Sequence, residues 1–397
     1  MRILVLTNLY PNPFEPNRGL FNRNQIRHLA EEHEVTVISP ILWTDEWAAR
    51  RAGNSSLTNS RANELDGIPI VHPRYFYTPK ILRSCYGRFF KASVQRTFRS
   101  SVERFQPDVV YSPWTYPDGW AAVELGHARG LPVVVKVHGS DIHQLNRFPG
   151  RSSGTLKALH EADGVVVVSA DLKDQIVRLG VNDQNVQVIR NGIDAGLFAP
   201  GDKRQARARL GLPDDRAMVV TIANLVPVKG HRILLEALKL LQRGGVFVDC
   251  HLLGDGPLRN SLVSESAGLA LSDRLILHGT QPHADLGDWY RAADVVAVPS
   301  LAEGIPNVLL EAMACEVPCV ATSLSGIQEV IPQDYPCRLV PPGDAAAFAS
   351  AIQMMLHHRP PIARSHTAPR SHRQVAKELE NFLADVCRVS KPLVAAG

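Results

Sequence analysis

At 397 residues the chain is long enough for two or three domains with cores of ordinary size. A composition 45% hydrophobic and 21% charged, with no biased tract, excludes a disordered or fibrous chain. With 43 basic and 39 acidic residues the net charge is +4, too balanced for wholesale nucleic-acid binding. Cysteines 85, 250, 315, 319, 337 and 387 form no CxxC pair, which fits a reduced compartment and core packing, including for Cys315 and Cys319. No segment approaches the ~18 apolar residues of a membrane span. The opening Met1-Arg-Ile-Leu-Val-Leu-Thr7 is too short for a signal peptide and reads as a first strand, so a cytoplasmic location is expected.

In chain order, short β-branched runs alternate with longer amphipathic stretches, the pattern of parallel α/β layers. The first half predicts strands at 3–7, 35–39, 68–72, 109–112, 133–138, 164–169 and 186–190, with helices such as 19–32, 119–129 and 171–179 between them. The second half predicts strands at 218–223, 247–253, 275–278, 295–299, 319–322 and 338–340. Its helices are expected at 230–242, 257–269, 285–292, 306–315 and 345–356. The alternation pauses at Ala199-Pro-Gly-Asp-Lys and at Gly211-Leu-Pro-Asp-Asp. The expected organisation is a first α/β domain over 1–198, a linker over 199–213 and a second α/β domain over 214–372. A terminal helix over 373–397 is free to pack on either. Ligands of open α/β sheets bind beyond the carboxyl ends of strands, so the crevice between the domains is the expected site.

Each chemically suggestive residue follows a predicted strand. Glu303 and Glu311 flank a polar turn that opens a helix, and Pro306 suits its first position, where a missing N–H is not needed. The amides of Asn307, Val308 and Leu309 should point out of that helix end with the positive pole of the dipole behind them, a ready site for phosphate. Glu311 lies about 7.5 Å along the axis from that end, at ~1.5 Å per residue, a plausible reach from diphosphate to ribose. Lys229 stands where a helix begins, an unfavourable place for a cation unless an anion such as phosphate accompanies it; a snorkelling ammonium is the bland alternative. The turn Leu253-Gly254-Asp-Gly-Pro257 either admits a base closely or is a plain turn. His138, in Val137-His138-Gly-Ser-Asp141, is placed to donate to a phosphate oxygen or a sugar hydroxyl, or else to satisfy local backbone. Gly19 allows close backbone approach after the loop 8–18. Asn191-Gly192 is a turn signal.

There is no GxGxxG after the first strand, no Walker lysine loop, no HExxH and no G-x-S-x-G. A DxD triplet to hold a metal against a diphosphate is also missing, so positive charge and helix-end amides have to serve there. The ordered set "EGIPNVLLEAMA", Lys229-Gly230, "LGDGP", "HGSD", "NGID" and the Gly19 loop resembles the retaining family-4 glycosyltransferases over residues 1–356. Among these it is most similar to bacterial enzymes that extend lipid-linked exopolysaccharide, capsule or O-antigen sugars.

The resemblance implies the GT-B fold, two Rossmann-like parallel-sheet domains facing across a cleft. It implies a hexosyl transfer from a UDP- or GDP-sugar to a lipid-linked saccharide or oligosaccharide, without metal or other cofactor. Glu311 would bind the ribose, Glu303 the donor-sugar hydroxyls, Lys229 the diphosphate, and His138 would lie near the reacting sugar. Gly19, Asn224, Gly254, Gly304 and the amides of Asn307, Val308 and Leu309 would complete the donor site, and Asp141 would face the acceptor. Two departures stand out. Asn224 occupies the place of the family's usual arginine, whose loss would typically weaken the transition state by ~3–4 kcal/mol unless another residue compensates. Pro306 replaces a frequent glycine. The alternatives are a non-catalytic nucleotide-sugar-binding scaffold and a soluble disaccharide or disaccharide-phosphate synthase. The stretch 80–104 carries Lys80, Arg83, Arg88, Lys91, Arg96, Arg99 and Arg104 among aromatics. It reads either as a basic helix lying on the inner-membrane surface or as a solvated helix whose aromatics face the core.

Overall fold

The computed structural model describes residues 1–53, 61–78, 81–82, 85–143, 145, 149–358 and 369–390. The chain divides into a first unit, 1–190 with 372–397, and a second unit, 191–371.

The strands of the first unit are β1 (Arg2–Leu6), β2 (Glu34–Ile38), β3 (Ile41–Leu42), β4 (Ala62–Leu65), β5 (Ile68–Val71), β6 (Arg74–Tyr75), β7 (Val109–Ser112), β8 (Val133–Val137), β9 (Gly164–Val167) and β10 (Val186–Val188). Eight of them form one sheet in the order β10-β9-β8-β7-β1-β2-β5-β4. Every pairing in it is parallel except the edge pair β4–β5. Buried Val-rich strands explain this: both faces are covered, as parallel sheets require. Val133, Val135 and Val137 enter one core layer with Phe90, Val94 and Phe98, while Val134 joins Ile26 and Leu379 on the other.

The second unit holds β11 (Ala217–Ile222), β12 (Val248–Leu253), β13 (Leu275–Gly279), β14 (Val295–Val298), β15 (Cys319–Thr322) and β16 (Cys337–Val340), all parallel, in the order β13-β12-β11-β14-β15-β16. Numbered within the unit this is 3-2-1-4-5-6, the doubly wound arrangement, whose order reverses between its first and fourth strands. The switch point lies between β11 and β14 here, and between β1 and β7 in the first unit.

Every predicted strand is present within two residues of its expected ends. The edge strand β4 and the helices Trp43–Arg51, Pro149–Glu161 and Lys203–Leu210 were not foreseen. The first of these helices did carry a signal, acidic Asp45 and Glu46 in its first turn and basic Arg50 and Arg51 in its last.

The domain boundaries differ from expectation. The second unit begins at Asn191, and the expected linker 199–213 is part of it. Asp202 caps the helix Lys203–Leu210 by accepting from the Gln205 amide at 2.8 Å, and Gly211 closes it in the left-handed region. Arg207, buried, then ties the segment down. Its guanidinium donates to the carbonyls of Ala292, Pro213, Asp214 and Arg216 and to Asp294, which Lys203 also reaches at 2.9 Å. The C-terminal helix starts at His372 rather than 373 and belongs to the first unit, packing on the helix Leu20–Leu29.

The helix Tyr86–Phe105 covers most of the basic stretch; Lys80 and Arg83 lie outside the described residues. Phe90 and Phe98 face the core, Lys91 pairs with Glu124 at 2.8 Å, and Arg88, Arg96, Arg99 and Arg104 are exposed. The aromatics thus serve packing. Replacing Arg207 by Ala should deprive four carbonyls of the guanidinium and leave the buried Asp294 carboxylate with one donor fewer, destabilising the second unit by about 3–5 kcal/mol, measurable by urea unfolding.

Candidate functional site

In the second unit the loops after β11 and β14 meet at the switch point, and a glycine makes this possible. Gly230 has φ +66°, and a Cβ there would lie 1.9 Å from the Pro299 carbonyl oxygen. Leu301 N–H donates to the Val228 carbonyl at 2.8 Å, fastening the two loops. Lys229 ends a short 3-10 turn, Pro227–Lys229, and Gly230 separates it from the helix His231–Arg243, so it does not open that helix. Its Nζ donates to Glu303 Oε1 at 2.5 Å, and Ser300 Oγ donates to the same oxygen at 2.7 Å. The anion expected beside Lys229 is therefore present in the chain itself. Glu303 Oε2 has no partner among the described residues. Gly304 holds its loop against Gly326, where a Cβ would lie 1.8 Å from the Gly304 carbonyl oxygen.

The helix after β14 runs Asn307–Ala314, with Pro306 as its N-cap in an extended conformation rather than at its first position. The Pro306 carbonyl accepts from the Leu309 amide at 3.0 Å, so that amide is spent. The amides of Asn307 and Val308 have no protein partner among the described residues and remain for an anion. Asn191 Nδ2 donates to Asn307 Oδ1 at 2.9 Å, which gives the Asn191-Gly192 turn a role its sequence did not reveal.

Glu311 lies one turn in, and Tyr290 donates to its Oε2 at 2.5 Å. Burial pushes its pKa up to about 7, against the lowering effect of the tyrosine hydroxyl. Asn224 is exposed after β11, and its carbonyl accepts from His231 Nε2 at 3.0 Å. Gly254, at φ +138°, lets the loop after β12 press on the Ala223 carbonyl, 2.0 Å from where a Cβ would stand. Gly254 N–H also donates to the Gly279 carbonyl at 2.8 Å, joining the loops after β12 and β13.

In the first unit the loops after β1, β7 and β8 gather around His138. Gly19, at φ +62°, packs on the chain's own Leu9 carbonyl, 2.2 Å from a hypothetical Cβ, and the close approach it permits is internal. His138 lies edge-on to Phe21 at 4.9 Å and stacks on Trp114 at 5.8 Å. Its Nε2 is 3.1 Å from the Pro113 carbonyl, which only accepts, so Nε2 carries the proton. Burial, then the neighbouring Lys136 ammonium, pushes the His138 pKa down to about 3. The ring is neutral and offers Nδ1 as an acceptor, the reverse of the donor role expected.

Asp141 is engaged within its own part of the chain. It accepts from Thr115 Oγ1, from the His138 amide at 3.2 Å and from the Gly139 amide at 2.8 Å, so it shapes the His138 turn. Asp118 does the same for the Gly19 loop, accepting from Thr7 Oγ1 at 3.0 Å and the Asn8 amide at 2.6 Å. Tyr290, Ser300 and Asp118 were not singled out by sequence, and Asn191 only as part of a turn, because each is defined by the partner it meets in the fold.

Linkage gives the sign of a test. Glu311 holds its proton to about pH 7 when folded, against 4.5 as its ordinary value, so its contribution to stability is complete below 4.5 and lost as pH rises through 7. Urea unfolding across that window should show this decline, and Glu311→Gln should flatten it.

A family model for "Glycosyltransferase Family 4" matches residues 20–197, and one for "Glycosyl transferases group 1" matches residues 216–358. The chain is 30% identical over 372 residues to the putative teichuronic acid biosynthesis glycosyltransferase TuaC of Bacillus subtilis, covering 90% of each. Among solved structures it is similar to sucrose-phosphate synthase from Thermosynechococcus elongatus, at TM-score 0.73 and 21% identity over 100% of this chain and 99% of that one. Anabaena HepE, solved in complex with UDP-glucose, gives TM-score 0.69 at 18% identity over 98% of both. The two structures establish the fold, two Rossmann-like units of GT-B type. With both family models in their proper order and a relative matched along nine-tenths of its length, the chain belongs to the family-4 glycosyltransferases.

Proposed function

We propose that the protein transfers a hexosyl group from a UDP- or GDP-sugar to a hydroxyl of a lipid-linked saccharide in surface-polysaccharide synthesis, with retention at the anomeric carbon and without a metal. The observation that carries this reading is the Lys229–Glu303 pair beside the two unpartnered amides of Asn307 and Val308. A diphosphate lying on those amides brings negative charge to the ammonium, and Lys229 exchanges its carboxylate partner for phosphate. Glu303, released and still held by Ser300, is then an acceptor for donor-sugar hydroxyls. Glu311 takes the ribose hydroxyls. His138 accepts a hydroxyl of the sugar substrate at Nδ1, its proton fixed on Nε2 by Pro113.

The bond from the anomeric carbon to the leaving phosphate oxygen breaks while the bond to the acceptor oxygen forms on the same face. The leaving phosphate oxygen takes the acceptor proton. Catalysis is then positioning and charge stabilisation, with Lys229 and the helix-end amides in the place a metal would take. The name of the B. subtilis relative supports a surface polysaccharide, and the UDP-glucose complex of HepE supports a nucleotide-sugar donor.

Lys229→Ala and Glu303→Ala should each lower turnover by about 10²–10³-fold, since each removes a preorganised group. Release of nucleoside diphosphate from a panel of nucleotide sugars measures this, and NMR of the product gives its anomeric configuration. Turnover within about twofold of wild type would dismiss these roles and favour a non-catalytic scaffold.

Membrane association belongs to the same reading, with the contact relocated. Phe76, Ile81 and Leu82 are each more than half exposed near the start of the helix Tyr86–Phe105, whose Ser93 accepts from the Phe76 amide at 3.1 Å. The exposed arginines 88, 96, 99 and 104 supply attraction of about 1 kcal/mol each near an anionic surface. No helix among the described residues is long and apolar enough to cross a membrane, so a peripheral contact on the cytoplasmic face of the inner membrane is the mode proposed. The protein should co-sediment with phosphatidylglycerol vesicles, less so at high salt; equal binding to neutral vesicles would exclude it.

A further inference from the structure

Asn224 leaves the donor site short of a cation, and Glu303 engages Lys229. A second basic side chain stands on the same carboxyl edge of the sheet. Arg259 is the first residue of the helix Arg259–Gly268, which follows the turn 254–257 after β12. The position is unfavourable for a cation, because the positive pole of the helix lies there. No carboxylate pairs with its guanidinium among the described residues, and Nη1 is shut off from solvent with no hydrogen-bond partner. Natural proteins satisfy nearly all such donors, and this one finds no acceptor within the described residues.

The setting says which kind of acceptor fits. Nη1 lies over Gly279 at the end of β13, 3.9 Å from where a Cβ would be. Gly254 N–H is bonded to the Gly279 carbonyl, and Gln281 Nε2 holds the His278 carbonyl at 2.9 Å, so the guanidinium sits at the join of two ordered loops. In the order β13-β12-β11-β14, this join is one to two strands from the Lys229 loop. At ~4.8 Å per strand that is about 5–10 Å, the separation between a diphosphate and the base of its nucleotide.

We propose that Arg259 recognises the nucleobase of the donor, donating to the ring carbonyl oxygen of a keto base, uracil or guanine. This rests on the nucleotide-sugar reading above. Uracil O4 and guanine O6 accept hydrogen bonds, whereas cytosine and adenine present an amino donor at the corresponding edge. Two donors face to face leave both unpaired, and a site built to bond one partner rejects the other strongly. Arg259 thus sets base specificity.

Calorimetric titration of the full chain with UDP, GDP, CDP, ADP and inorganic pyrophosphate tests this. UDP or GDP should bind about tenfold or more tightly than CDP and ADP. Arg259→Met should bring the four nucleotides to within about threefold of one another and leave pyrophosphate affinity unchanged. Arg259→Glu, which suits a helix N-terminus and so should fold, should shift preference toward CDP or ADP. Equal weakening of all nucleotides and of pyrophosphate by Arg259→Met would make Arg259 a phosphate contact and overturn the proposal. An unchanged base preference in both variants would also overturn it. If instead wild type binds no nucleotide, or Lys229→Ala leaves affinity intact, the nucleotide-sugar reading itself falls.

Discussion

The approach of Gly230 to the Pro299 carbonyl is the constraint on which the second unit's chemistry depends. Any side chain at 230 would push the loops after β11 and β14 apart, and Lys229 would lose Glu303. Adjacent parallel strands bring the two loops near one another, and the missing Cβ closes the last ångströms. An ammonium and a carboxylate then neutralise each other beside a helix end whose first two amides are open. At rest the site bears little net charge, and an arriving diphosphate supplies what exchanges the pair.

Each unit uses burial to set protonation within itself. His138 is kept neutral by its apolar neighbours Phe21 and Trp114 and by Lys136, and the Pro113 carbonyl decides which nitrogen holds the proton. Lys136 is itself buried beside Gln25, which pushes its pKa down to about 7. Glu311 is poised in the opposite sense, raised by burial and partly restored by Tyr290. None of these values follows from residue type. Each depends on what desolvates the group and what bonds to it.

Much of the fold was legible in the sequence because buried parallel strands leave a plain signal, short β-branched runs between amphipathic helices. The failures have local causes. The segment around 199–213 reads as a linker on its Pro and Gly, although Asp202 and Gly211 are the two caps of a helix. Strand β4, Ala62-Asn-Glu-Leu65, is short, mostly exposed and only half apolar, so it carries no clear hydrophobic alternation. Pro306 serves as the N-cap and not as the first helical residue, a shift of one position that spends the Leu309 amide. The aromatics of the basic stretch gave an ambiguous period, and packing assigned Phe90 and Phe98 to the core.

By itself the sequence determined the alternation of strands and helices, the positions just after strands where polar residues cluster, and the family whose motif order it follows. Those are properties of neighbours along the chain, and local propensity and burial pattern suffice to set them. The partners were decided by tertiary structure alone: Lys229 with Glu303, Tyr290 with Glu311, Asn191 with Asn307, Asp141 with its own turn, Nε2 of His138 with Pro113. Most of these contacts join residues many positions apart, brought together by strand order and crossover. Hydrogen bonds and desolvation act over a few ångströms in space, without regard to distance in sequence.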